Sequence, residues 1–552
     1  MMHDAPTPPP NDQPALEAPE PAGPLPLAAA PPIDTGTDES VKQTILSLIV
    51  AFVLALVFRA YVVEAFVIPT GSMAPTLLGK HQHYQCDQCG YEFDACDEQT
   101  RHIPSGNEYP RPSVDVYCPM CKNLIVSPIQ ALSAGDRILV HKYIYSVSEP
   151  RRWDVVVFKN PAKPEVNYIK RLIGLPNEQV FIIDGNIYIE RDGAWRIARK
   201  TDRPAVQNAM WVPIYHSRYI PLDEGRVENN PDRVDVAAWR TPWFADHPSE
   251  DWDIDNRRAY RHDSDQAGRI FFDFQEATNP YVVSWYAWNQ HTREFVYDEP
   301  IEDVRLATQF TPDAGGLTIR LETTSRLDNG ALSSEQHFLT ATLASDGTVT
   351  LTRSTFDRSH TLTLQSGRVE PIRAGETRAF ELWYVDQEAS VWVDGDRVLV
   401  HQFDLPTIED ARDRPAPTDF PLVSIAVEGS PVTLRNVEVD RDLFYVSQKE
   451  SRVARAGYAK GANWTDGEPL RLYADEFFCL GDNGPVSEDG RYWDSLDPWV
   501  QERMFDGNAR YGVVPRKLMM GRAFFVYFPA PYALSYRTPA WVPNFGKMRF
   551  IH

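Results

Sequence analysis

The sixteen residues Gln43–Phe58 (QTILSLIVAFVLALVF) lie between Lys42 and Arg59 and carry no charge. As a helix they would run about 24 Å at ~1.5 Å per residue, slightly short of a ~30 Å hydrocarbon core. Snorkelling by Lys42 and Arg59, and the apolar residues Ala60, Tyr61, Val62 and Val63, would extend that reach. All faces of such a helix are apolar, which argues against a core helix with one wet face. The run starts far from the N-terminus, without a basic leader or a clear A-x-A site, which argues against a cleaved secretory signal. The expectation is a transmembrane anchor over 42–64. One basic residue flanks each end, so charge leaves its orientation open.

The stretch before the run differs in kind. Eleven of the chain's 45 prolines fall in the first 32 residues, which contain no Lys or Arg. Such a segment cannot bury enough surface to offset its ordering entropy, so 1–41 is expected to be a disordered tail. The whole chain has 552 residues, more than one hydrophobic core accommodates. Its net charge of −22 argues against nucleic acid as a partner.

Ser72 follows a glycine in Phe66-Val-Ile-Pro-Thr-Gly-Ser-Met-Ala-Pro-Thr-Leu77. A tight turn of this kind can expose a hydroxyl and aim backbone N–H groups at a developing oxyanion. It can equally be a plain turn. A nucleophilic serine needs a base, and no histidine is well placed by sequence. A lysine serves if burial lowers its pKa from ~10.4. Lys170 lies in Val166-Asn-Tyr-Ile-Lys-Arg-Leu-Ile-Gly174, after the apolar block Asp154-Val-Val-Val-Phe158. Strand alternation puts Tyr168, Lys170 and Leu172 on one face and Ile169, Arg171 and Ile173 on the other. A snorkelling surface lysine is the competing reading.

Taken in order, the blocks resemble type I signal peptidases (bacterial leader peptidases). The Ser72 block resembles the family's S-G-S-M-x-P-T box, and Gly135-Asp-Arg-Ile-Leu-Val-His-Lys142 its next box. Asp154–Phe158 with Tyr168-Ile-Lys-Arg171 and Gly174-Leu-Pro176 resembles the lysine box. Gly481-Asp-Asn-Gly-Pro-Val-Ser-Glu-Asp-Gly-Arg491 with Tyr492-Trp493 resembles the last box, and Gly521-Arg-Ala-Phe-Phe525 the closing strand. The resemblance covers roughly 42–79, 130–195 and 446–530. It implies a membrane-bound serine endopeptidase that removes signal peptides from exported preproteins. Ser72 would be the acyl-forming nucleophile and Lys170 the general base. The Ser72 N–H and the Thr70 hydroxyl would form the oxyanion hole, Thr70 standing where the family usually has Ser. Ser487 would orient the lysine, and Asp489 and Arg491 would form a structural ion pair. It also implies a single-pass protein of the cytoplasmic (inner) membrane, N-terminus inside and catalytic domain outside, with no catalytic cofactor. The last box departs from G-D-N-R-D-N-S-x-D-S-R: Gly484-Pro485-Val486 replaces Arg-Asp-Asn, and Gly490 replaces the second Ser.

Two insertions interrupt this pattern. Residues 80–129 hold two C-x-x-C knuckles, Cys86/Cys89 and Cys118/Cys121. They resemble a zinc ribbon, in which four thiolates close a structural tetrahedral site. Disulfides compete if the compartment is oxidising. Cys96 is an alternative ligand, and Cys479 reads as a buried apolar residue. The second insertion, 196–445, follows the hairpin signal Ile182-Ile-Asp-Gly-Asn-Ile-Tyr188. Its short alternating segments include Leu317–Leu321, Val349–Thr352, Thr361–Leu364, Phe380–Tyr384, Val391–Gly395, Ser424–Val427 and Val432–Val439. They suggest an antiparallel β-sandwich. The pattern resembles laminin-G/concanavalin-like jelly rolls, folds that often bind glycans; a structural or shielding role is the alternative. Asp251-Trp-Asp-Ile-Asp255 lacks the glycine and glutamate of a calcium loop and reads as a solvated acidic loop.

The expected fold is therefore mainly β. It comprises the anchor, an antiparallel catalytic core of signal-peptidase type over 65–79, 130–195 and 446–552, the metal-knuckle module and the sandwich. Expected partners are exported preproteins and the lipid bilayer. Two other function classes stay open: a Ser/Lys self-cleaving protease, and a non-enzymatic envelope binding protein with a degenerate core.

Overall fold

The computed structural model describes residues 37–61, 63–96, 114–127, 133–183, 185–223, 239–246, 251–255, 258–274, 277, 287–289, 301–328, 331–403, 407–413, 420–445, 469–535 and 538–552. The Pro-rich stretch read as a tail lies almost wholly outside these residues, as does 446–468. The chain divides into two compact units, meeting between Phe58 and Arg59.

The first unit carries most of helix α1, Thr37–Tyr61, whose last three residues fall past that boundary. Its described side chains from Val41 to Leu54 are exposed. The expected transmembrane anchor is not found. Among the described residues no helix is long and apolar enough to cross a membrane. The first turns of α1 are polar (Thr37-Asp-Glu-Ser-Val-Lys-Gln-Thr44), which leaves the apolar run Ile45–Phe58 before Arg59. Those fourteen residues rise only about 21 Å. The extension expected through Val63 fails too, because Val63 opens a strand and pairs with His141. The bilayer partner and the single-pass inner-membrane placement lose the helix on which they rested.

The second unit is built on β-sheet. A first sheet combines β1 (Val63–Val67), β2 (Arg137–Lys142), β3 (Val155–Asn160), β4 (Lys163–Gly174), β5 (Glu476–Leu480), β6 (Val514–Pro515), β7 (Met519–Phe528) and β8 (Arg549–Phe550). Their spatial order is β1-β2-β7-β3-β4-β5-β6, with β8 on β7. All the pairings are antiparallel. Alternation along β3 and β4 splits two cores. Val156, Phe158, Leu172 and Phe478 bury on one side, and Val155, Val157, Ile138 and Val140 on the other. Each such side chain contributes about 1.5–3 kcal/mol on burial. Beside this sheet, Gln179–Ile183 and Asn186–Arg191 pair as the expected hairpin, with Gly185 at φ 78° in the turn.

The described strands between 212 and 441 form two large antiparallel sheets that share one hydrophobic core. Val432–Arg441, Val304–Pro312, Arg378–Val385 and Glu388–Val393 are successive strands of one. Val423–Glu428, Thr318–Asp328, Ala331–Leu343 and Thr348–Thr355 are successive strands of the other. The seven alternating segments seen in the sequence all overlap strands here. The period-2 pattern works because each strand puts one face into the core, as with Phe310, Phe380, Ile319 and Leu339. In the acidic loop, Asp251, Asp253 and Asp255 are exposed while Trp252 and Ile254 are buried, a solvated edge as read.

Candidate active site

The Ser72 turn leaves β1 through Ile68, whose N–H bonds Asp136 O. Thr70 is extended (φ −128°, ψ 159°) and precedes a single 3-10 turn, Gly71–Met73. Ala74 N–H donates to Gly71 O at 3.0 Å and Leu77 N–H to Met73 O at 2.9 Å. Ile68, Met73 and Leu77 are buried in one core with Ile138 and Val140, so the turn is anchored on both sides of Ser72. Ser72 itself is partly exposed.

Lys170 lies on β4, opposite Val156 on β3. Only 4% of it is exposed. Its Nζ stands 2.5 Å from Ser72 Oγ, although 98 residues separate the two, and 5.4 Å from the centre of the Tyr168 ring. Burial pushes the Lys170 ammonium down to about 8, against the opposing pull of the Asp489 and Glu488 carboxylates. At that value about half the side chain is neutral at pH 8. A neutral amine touching a serine hydroxyl can accept its proton.

The loop after β5 closes over this pair. Gly481 is wedged: a Cβ there would lie 2.0 Å from Ser487 Oγ and 2.3 Å from Ser72 O. Asn483 N–H donates to Ser72 O at 3.1 Å, and its amide donates to Gly71 O at 3.1 Å. Asp489 accepts from Gly481 N–H at 2.9 Å and takes a two-pronged bond from Arg491, at 2.8 and 2.7 Å. Arg491 also donates to Gly484 O. Asp489 and Arg491 are fully buried, so the pair fixes the loop from beneath. Ser487 is buried beside Gly481, yet its hydroxyl makes no hydrogen bond, to Lys170 or to any other described group.

Comparison with known proteins bears on this geometry. Residues 120–223 and 422–528 match the family model described as signal peptidase, peptidase S26. The chain carries a peptidase S26 domain. Signal peptidase I of Rickettsia typhi is 33% identical over 156 residues, 28% of this chain and 46% of that protein. Signal peptidase I of Rickettsia prowazekii is 32% identical over 153 residues, 28% and 45% respectively. The chain thus spans about half the length of the curated relatives it matches. The matched part of the S26 domain includes Lys170 and the 481–491 loop, while Ser72 precedes it. Among solved structures, the CBM66 carbohydrate binding module from Bacillus subtilis is 11% identical, covering 36% of this chain and 96% of its own (TM-score 0.23). The Ca2+-bound VIP36 exoplasmic/lumenal domain is 12% identical, covering 36% and 83% (TM-score 0.23). At these scores the likeness carries no inference about what the two-sheet region binds.

Two roles in the S26 domain were not legible in the sequence, where Asp482 and Asn483 read equally well as turn residues. Asp482 instead accepts two bonds from Arg171, and Asn483 holds the Ser72 turn. One signal was available. Arg171 alternates with Lys170 on a buried strand, and a buried guanidinium requires a carboxylate partner. Cys479 is fully buried on β5, as read.

Outside the sheet that holds Lys170, the four knuckle cysteines converge. Cys86, Cys89, Cys118 and Cys121 are buried, with all four sulfurs within 4.8 Å of one another. Cys86 to Cys121 and Cys89 to Cys118 measure 3.5 Å. Four thiolates ~2.3 Å from one tetrahedral ion stand about 3.8 Å apart, whereas a disulfide needs ~2.05 Å. The two knuckles turn alike: Gly90 N–H bonds Cys86 O and Lys122 N–H bonds Cys118 O, with Gly90 and Lys122 both at positive φ. The cluster is thus close enough to coordinate a metal. The Cys96 side chain lies outside the described part of the structure.

Proposed function

We propose that this chain is a serine endopeptidase that removes N-terminal signal peptides from exported preproteins by acyl-enzyme chemistry. The 2.5 Å approach of Lys170 Nζ to Ser72 Oγ carries the reading. The S26 match supports the reaction class.

Neutral Lys170 accepts the Ser72 proton as Oγ bonds to the scissile carbonyl carbon. The oxygen of the tetrahedral intermediate is held by the Ser72 N–H and the Thr70 hydroxyl. Lys170 then gives its proton to the departing amine as the C–N bond breaks, leaving the signal peptide esterified to Ser72. A water gives a proton to Lys170 and attacks the ester carbonyl. Collapse breaks the C–O bond and returns the proton to Oγ. Asp489 and Arg491 act beneath the site, by holding the loop that abuts Ser72. Ser487 takes no part in this relay; its hydroxyl is unbonded beside Gly481.

Zinc is the ion that four buried thiolates fit best, and Cys86, Cys89, Cys118 and Cys121 would hold it. It would supply structural cross-linking, since four thiolates leave no open position for water.

Cleavage of a signal-peptide-bearing preprotein by wild type, Ser72→Ala and Lys170→Ala tests the proposal. Activity that disappears in both variants supports the dyad. Cleavage that persists in Ser72→Ala defeats it.

A further inference from the structure

Within the 196–445 insertion, the described segment Ala287–Asn289 lies against the nucleophile turn. Trp288 is 5% and Asn289 6% exposed. A Cβ on Gly71 would lie 2.2 Å from Trp288 Nε1, so the indole covers the residue before Ser72 and requires glycine there. Trp288 also packs on Ala74 and Leu78, the far side of the same turn. Its ring lies 5.5 Å from that of His81, which opens the first strand of the cysteine module.

Asn289 meets Asn483 in a reciprocal amide pair. Asn289 Nδ2 donates to Asn483 Oδ1 at 2.8 Å, and Asn483 Nδ2 donates to Asn289 Oδ1 at 3.0 Å. The same Asn483 amide donates to Gly71 O, and its backbone N–H to Ser72 O. An isolated asparagine amide can flip end for end. Here Gly71 O, which can only accept, selects the Nδ2 end of Asn483, and Asn289 holds that amide in place by bonding both its Oδ1 and its other N–H. Through Asn483, the carbonyls of Gly71 and Ser72 are thereby tied to a segment more than two hundred residues away in sequence.

We infer that Trp288 and Asn289 are positioning residues for Ser72, so the two-sheet insertion completes the active site of the peptidase core. Asn289 acts through Asn483, and Trp288 acts by covering Gly71. The inference rests on the assignment of Ser72 as nucleophile. It also gives the insertion a task within the reaction, whatever else the region binds.

The test is a double-mutant cycle in the full chain, with Asn289→Ala, Asn483→Ala and the double variant assayed on a signal-peptide-bearing preprotein. Each single substitution is expected to lower kcat about tenfold with KM changed less than about threefold, because the turn shifts while the substrate cleft stays. The double variant should be no slower than the slower single, since both act through one contact. If Asn289→Ala does not fold, Asn289→Asp is measured instead; it keeps the shape and loses the donor to Asn483 Oδ1. Multiplying effects, or a kcat within twofold of wild type for the Asn289 variant, would overturn the inference. Ser72→Ala is run alongside. If it cleaves, the nucleophile assignment itself fails. If it is inactive while the Asn289 variant matches wild type, only the role of the insertion fails.

Discussion

Arg171 grips Asp482 through two hydrogen bonds of 2.8 and 2.7 Å, and neither side chain has any solvent exposure. Arg171 is the immediate neighbour of Lys170 on β4, while Asp482 begins the loop that closes on Ser72. Arg171 also donates to Trp153 O at 2.8 Å. This pair joins the lysine strand to the loop at their base.

Asp482→Ala should therefore be among the most destabilising single changes in the core. It strands a buried guanidinium, at a cost of about 3–5 kcal/mol. Denaturant unfolding checks this. Arg171→Met combined with Asp482→Leu should recover much of the loss, because no charge is then left without a partner. A single Asp482→Ala variant as stable as wild type would show that the pair adds nothing.

Lys170 sets a pH dependence in two directions. With its ammonium held at about 8, activity should climb with pH through that value, falling about tenfold per unit below it. The stability effect has the opposite origin. The folded pKa lies below the unfolded ~10.4, so burial of the charge is a penalty present below pH 8 that fades as pH rises toward 10.4. Lys170→Met should abolish cleavage and yet stabilise the fold at pH 7, by up to about 3 kcal/mol. Melting curves of both proteins at pH 7 and pH 10 measure the gap, which should close at the higher pH.

Ser487→Ala separates two views of the altered loop. The hydroxyl is buried and unbonded, so its removal should leave stability within about 1 kcal/mol of wild type. Cleavage should fall less than about tenfold, a loss below that typical of a removed acid-base group. A loss as complete as that of Ser72→Ala would mean that the hydroxyl orients the lysine during the reaction.

The cysteine cluster predicts about one zinc per chain by metal analysis, with all six thiols of the chain titrating once the protein is denatured with a chelator. Cys86→Ser or Cys118→Ser should release the metal and lower the melting temperature. Two disulfides and no zinc in protein purified without reductant would remove the metal assignment.

Much of the architecture could be read locally. Period-2 alternation marked the strands of the two-sheet region, because each strand there buries a single face. The same rule put Lys170 with Tyr168 and Leu172, and that face does bury against Val156 and Phe158. The paired knuckles indicated the cysteine site, since C-x-x-C is a local geometry. The transmembrane reading of 42–64 fails because the fold uses part of that apolar stretch otherwise: Val63 belongs to β1 and pairs with His141.

What the sequence by itself determined is the set of chemical parts: a serine in a tight turn, a lysine on an apolar strand face, four thiols in two knuckles and many one-faced strands. What only the tertiary structure decided is which parts meet. Asp482 reads as a turn residue until Arg171 reaches it across 311 positions. Trp288 and Asn289 have no local signature, because their partners Gly71 and Asn483 lie on another module. Local pattern reports the burial of a face, whereas a specific contact between distant residues depends on how the sheets pack.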